Sequence, residues 1–153
     1  MLLRAEEIYV KFREETIKIV IPKMLLLVLI QQINRHMEVL SYEQGTIDNF
    51  AIQDDMNNAE MIMTKLLILI SEPNNKKQIL FELNIAEFLI LRDCVYCNNS
   101  LLHLQAKMKP QIIKVYKKFY EYIENIFGMI NSDEVKSYWD YIKNYKIKGS
   151  ILQ

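Results

Sequence analysis

At 153 residues and 18.3 kDa, the chain is close to the commonest length of one domain, so a single unit spanning residues 1–153 around one core is expected. Apolar residues make up 51% and charged residues 25%, with only 3 Gly and 3 Pro, which excludes collagen-like, low-complexity and disordered classes and points to long helices. Lys+Arg and Asp+Glu both count 19 and the pI is near 6.7, so the chain carries no electrostatic footprint for nucleic acid or an anionic membrane.

The N-terminal Met1-Leu2-Leu3-Arg4-Ala5-Glu6-Glu7 turns acidic at once, unlike a secretory signal. A first helix is expected from about Leu3 to Ile21, with Ile8, Phe12, Ile17, Ile19 and Val20 set among Lys11, Arg13, Glu14 and Glu15. Pro22 ends it and can open a second helix through Met24–Ile30 and Ile33 to about Leu40, or the two form one kinked helix. The longest apolar stretch, Ile19 to Ile30, is broken by Pro22 and Lys23 and falls short of the roughly 20 residues a membrane span needs. After a turn at Gly45, Asp54 or Asp55 is placed to cap a third helix over about Met56–Ile70, and Ser71-Glu72-Pro73-Asn74-Asn75 reads as a loop.

From Lys76 to about Lys109 no breaker appears, and Ile79, Leu83, Ala86, Ile90, Cys94, Cys97, Leu101, Leu104 and Met108 recur at steps of three and four. That pattern predicts one long helix, or two with a kink near Asn98-Asn99. Pro110 opens the next, with Ile112, Tyr116, Phe119, Ile123, Ile126, Phe127 and Ile130 as its apolar stripe. Asn131 or Ser132 caps a last helix whose first turn holds Asp133 and Glu134, the sign that suits a helix N-terminus. The fold class is therefore all-α, about six helices. Met24–Ile30, Met61–Ile70 and Ile85–Cys97 are apolar nearly all round, more than one small core covers, which points to a homodimer interface or a lined cavity.

Chemistry-bearing motifs are sparse. Cys94-Val95-Tyr96-Cys97 is a C-x-x-C, but it lies mid-helix on the apolar seam without a second ligand pair, so two core thiols are expected and no metal site. Two cysteines in all fit a reducing, cytoplasmic compartment. His36 and His103 are the only histidines and could in principle serve a haem, the minority alternative. No G-x-S-x-G surrounds any serine and no Gly-rich loop cradles a phosphate, so no enzyme is expected.

Arg92 stands out. It is one of four arginines and sits inside an apolar run with Phe88, Leu89, Val95 and Tyr96 at three and four residues either way, while Asp93 is about 100° around the helix and is expected to point elsewhere. A guanidinium cannot shed its proton, so a buried one must meet an anion. Two readings stay open: an internal salt bridge or snorkelling side chain, or an anion receptor at the end of an apolar cavity. In the second, Tyr96 and Asn99 add neutral donors and Phe88 and the flexible Met63 line the apolar part, giving the candidate ligand-binding set Arg92, Tyr96, Asn99, Phe88 and Met63.

With helices so placed, and with Glu87-Phe88-Leu89-Ile90-Leu91-Arg92-Asp93, then Pro110 to Ile130, then Tyr138-Trp139-Asp140-Tyr141-Ile142 in that order, the chain resembles the non-haem globin sensor domains of Gram-positive stress and sporulation signalling. It is similar above all to the plasmid-encoded sporulation-inhibitory proteins of bacilli. The resemblance implies a globin-like fold without haem, a homodimer, and a tunnel for a fatty acid whose carboxylate meets an arginine, here Arg92, and a chloride ion. It also implies a function: binding a signal that otherwise activates a sporulation histidine kinase, and so inhibiting sporulation. The alternative is a helical dimeric protein-interaction inhibitor with no small ligand.

Overall fold

The computed structural model describes the backbone of residues 4–44, 50–72, 76–99 and 109–152, and the side chains of 4–42, 51–72, 76–96 and 109–143. Among these residues there are six α-helices and one two-stranded antiparallel sheet. In chain order they are α1 (Ala5–Glu14), β1 (Thr16–Pro22), a 3-10 turn (Lys23–Leu25), α2 (Leu26–Gln44), α3 (Phe50–Ser71), β2 (Gln78–Asn84), α4 (Ile85–Asn99), α5 (Pro110–Met129) and α6 (Ser132–Leu152). The chain is thus mostly helical, as expected. None of its described helices is long and apolar enough to cross a membrane.

Two of the expected helices are corrected. The first stops at Glu14, and Thr16–Pro22 is a strand; the long helix begins only at Ile85, and Gln78–Asn84 is its partner strand, in register from Thr16↔Asn84 to Pro22↔Gln78. The physical reason is a period of two that the helical spacing masked. Ile19, Ile21, Ile79, Phe81 and Leu83 are buried, whereas Lys18, Val20, Leu80 and Glu82 between them are exposed. The run Thr16-Ile17-Lys18-Ile19-Val20-Ile21, β-branched at every position but Lys18, also loses rotamer freedom in a helix and fits a pleated surface. Backbone bonds extend the ladder at both ends, Ile85 N–H to Glu15 O at 3.1 Å and Lys23 N–H to Lys77 O at 2.8 Å.

Pro22, with φ −60° and ψ 128°, ends the strand and precedes the 3-10 turn rather than opening α2. Asp54 and Asp55 are not caps, because α3 starts at Phe50. Pro110 does occupy the start of α5, and Asn131, not Ser132, caps α6: its side-chain oxygen accepts from the backbone of Asp133 at 2.9 Å and of Glu134 at 3.2 Å.

The core has two parts with α4 between them. The larger gathers the inner face of the ribbon, α2, α3, α5 and one side of α4 through Phe88, Leu91 and Val95. The smaller joins Ile8 and Phe12 of α1 and Val135, Tyr138 and Ile142 of α6 to Ile85, Ala86 and Leu89 on the other side of α4. Residues Ile85 through Leu91 are all buried, so α4, apolar all round in sequence, finds cover within one chain. The other two all-round apolar segments do not: Met24, Leu27, Met61, Leu67, Ile68 and Ile70 are 39–61% exposed. Inside the larger core, Gln32 Nε2 donates to the Tyr116 hydroxyl and that hydroxyl donates to Val95 O, both at 2.9 Å, tying α2, α5 and α4 together; burial pushes the Tyr116 pKa up to about 12.

Candidate functional site

Arg92 lies on α4 facing α5. Its Nε donates to Glu124 Oε1 at 2.9 Å and its Nη2 to Glu124 Oε2 at 3.2 Å, a two-pronged pair between helices. The guanidinium carbon sits 4.2 Å from the centre of the Phe127 ring and 4.6 Å from that of Tyr96. Burial works against the charged guanidinium, but the hydrogen bond and charge of Glu124 outweigh it and the Arg92 pKa is raised. Of the two readings left open by the sequence, the internal ion pair is the arrangement found. Asp93, expected to point elsewhere, comes within 3.6 Å of Arg92 Nη1. The long Arg92 side chain folds back across the roughly 100° that separates the two Cα positions.

Of the five sequence-derived site residues, the structure brings Arg92 and Tyr96 together. Phe88, one turn earlier, is fully buried in the larger core, and Met63 packs from α3 on that same cluster rather than beside Arg92. Asn99 closes α4 and its side chain lies outside the described residues, as do the side chain of Cys97 and all of His103. Cys94 is a buried cysteine and His36 is half-buried on α2. Among the described residues, no three His, Cys, Asp or Glu side chains converge as a metal site would require.

Phe127 connects Arg92 to a groove of about 950 Å³ where α5 ends and α6 begins. The local sequence builds it. Ile130 leaves the helix with φ −81° and ψ 138°, and the Asn131 cap starts α6 immediately. The two helix ends diverge around a floor of Phe127, Ile130, Val135 and Trp139, with Lys136, Asp140 and Lys143 on the rim. Met129, 83% exposed, also lines it. Gly128 also lines the groove, and a Cβ there would meet nothing within 4 Å. The apolar stripe of α5 was legible in the sequence; its convergence with Trp139 needed the turn.

Sequence reasoning missed two buried carboxylates. Asp54, 3% exposed, accepts from Arg13 at 2.7 Å, the Tyr138 hydroxyl at 2.8 Å, Asn58 at 3.3 Å and the Tyr9 hydroxyl at 3.5 Å, so it clasps α1 and α6 to α3. Burial raises the Tyr138 pKa, and the Asp54 charge beside it raises it further. These partners lie far apart in the chain and leave no local signal. Glu87, also 3% exposed, accepts from Lys65 at 2.9 and 3.2 Å. Its Oε1 takes the Asn84 N–H at 2.9 Å while Asn84 Oδ1 takes the Glu87 N–H at 2.7 Å, a reciprocal cap on α4 that the spacing Asn84-x-x-Glu87 could have revealed. Arg13, Thr16, Lys65, Glu82, Asn84 and Glu87 line a smaller groove of about 360 Å³.

No protein-family model matches the chain, and no curated protein and no solved structure matches it.

Proposed function

We propose that the chain is a non-catalytic binding domain that captures an amphiphile with an apolar tail and a negative head, a long-chain fatty acid being the simplest, in the groove between α5 and α6. The observation that carries this is the groove itself: about 950 Å³, floored by Phe127, Ile130, Val135 and Trp139 and rimmed by Lys136 and Lys143. Concave, mostly apolar sites with a few charged groups are where flexible ligands bind. Because the Arg92 charge is taken up by Glu124, the head group is assigned to the lysine rim, and Arg92 supports the site from behind through Phe127. Catalysis is disfavoured by the same accounting, since Asp54, Glu87 and Glu124 each already hold a cation from another element. The resemblance to non-haem globin sensors extends the proposal to signalling: by sequestering the ligand in the cytoplasm, the chain would keep a sporulation histidine kinase inactive.

Trp139 supplies the test. Titration with a long-chain fatty acid below its micelle concentration should change Trp139 fluorescence saturably, and Gly128→Phe should weaken the response tenfold or more by filling the groove. That variant should still fold, because the space at Gly128 is open and replacing a helical glycine relieves an entropic cost. An unsaturable response, or equal affinity in both proteins, overturns the reading. A second reading, a helical protein-interaction inhibitor with no small ligand, is favoured by the exposed Leu27, Ile68 and Leu80, which are 61%, 52% and 63% accessible. Native mass spectrometry separates the two: a retained lipid-sized mass supports the first, a bare polypeptide the second.

A further inference from the structure

Among the described residues, one edge of the ribbon is covered and the other is partly open. Val20 N–H donates to the Tyr122 hydroxyl of α5 at 3.0 Å, so the backbone groups of Val20 point away from β2. In an antiparallel ladder, opposed residues share the same bonding state, so Leu80, opposite Val20, likewise turns its N–H and C=O away from β1. The same alternation sends those of Gln78 and Glu82 outward. At Glu82 the outward carbonyl accepts from Lys65 at 3.3 Å, which places α3 beside that end of the edge. Among the described residues nothing caps the outward groups of Gln78 and Leu80. Leu80 is also 63% exposed.

We propose that this edge is a self-association surface, at which the β2 strands of two copies of the chain pair antiparallel across a two-fold axis at Ile79. This goes beyond the ligand reading and does not rest on it. The register follows from the groups available. Centring the axis on Ile79 sets Gln78 opposite Leu80 of the other copy, twice, and uses their uncapped N–H and C=O groups, while the Glu82 carbonyl can hold Lys65 on its second lone pair. It also sets Lys76 opposite Glu82, again twice, so opposite charges meet across the contact, as self-complementary pairing demands.

The flanks supply the apolar area. Helices α2 and α3 pack on each other and are joined by residues 45–49 alone; five residues reach at most about 18 Å while α2 is about 28 Å long, so the two helices run antiparallel. The start of α2 therefore lies beside the end of α3, at the pole where β1 ends and β2 begins. Met24, Leu27, Leu67, Ile68, Ile70 and Leu80 gather there, 39–63% exposed. At on the order of 80–100 Å² each, they offer about 1,000 Å² between two copies, the size a specific interface needs.

The test is sedimentation velocity of the full chain over a concentration series, with far-UV circular dichroism confirming the fold of each variant. Wild type should form a dimer. Leu80→Pro removes only an outward N–H, leaving the β1 ladder intact, and should raise the dimer dissociation constant tenfold or more. Should Leu80→Pro not fold, the charge variants decide: Lys76→Glu and Glu82→Lys alone should each weaken the dimer severalfold, and the two together should restore it. A wild type that stays monomeric to about 100 µM, a dimer indifferent to Leu80→Pro, or a double swap no better than the single ones overturns the proposal.

Discussion

Glu124 grips Arg92 with both carboxylate oxygens while 20% of the Arg92 side chain and 28% of that of Glu124 face water, so the pair lies between the exposed and the buried regime. Arg92→Leu leaves a half-buried carboxylate without its cation and should cost about 1–3 kcal/mol. Adding Glu124→Leu should return most of that loss. A urea-denaturation cycle of wild type, both single variants and the double variant measures the coupling; additivity within about 0.3 kcal/mol would show that the pair holds nothing. Asp93 makes the opposite prediction. Burial raises its pKa above the ordinary 3.8 despite the pull of Arg92, although 38% of its side chain is exposed. A raised folded-state pKa means the favourable contribution is complete below pH 3.8 and is lost as pH rises through the folded value. Asp93→Asn should therefore melt higher than wild type at pH 7, the difference vanishing as the pH is lowered through 3.8. A lower melting temperature at pH 7 would show that the Arg92 contact outweighs desolvation.

The reciprocal cap of Asn84 and Glu87 is where β2 becomes α4, and it has to hold because the first turn of α4 is buried. Asn84→Ala should cost about 1 kcal/mol, seen as a lower urea midpoint at unchanged slope, and Asn84→Ser should recover much of it. No loss with either variant would place the stability in Glu87 and Lys65 alone. Elements with local punctuation were legible in this way: Pro110 starts α5, and Asn131 with Asp133 and Glu134 starts α6, because caps act within one turn. The strands were not. Thr16 pairs with Asn84, far along the chain, and nothing near Ile79 or Leu83 distinguishes steps of two from a step of four. The candidate site divides similarly. An arginine isolated in an apolar run is visible from α4 alone; its partner Glu124 and the rings of Phe127 and Trp139 belong to other helices, which only tertiary packing brings near.

At the scale of the whole molecule, α4 is the shared wall of both cores, with Phe88, Leu91 and Val95 on one side and Ile85, Ala86 and Leu89 on the other. Neither core is complete without it. The Asp54 clasp, joining α3 to α1 through Arg13 and to α6 through Tyr138, ties the two parts a second time. Two units linked so should unfold together, although residues of α1 and α6 build most of the smaller core. Leu89, 2% exposed on that smaller side, gives the decisive variant. Leu89→Ala should cost about 2–5 kcal/mol through lost transfer energy and the cavity left behind. Its melting should remain a single transition, coincident by far-UV circular dichroism, which reports all the helices, and by the fluorescence of Trp139, which packs at the border of both cores. If the smaller core were an independent flap on a stable larger one, the fluorescence change would come at a lower temperature while most of the helical signal persisted. That separation would refute α4 as the element that makes one cooperative unit of the chain.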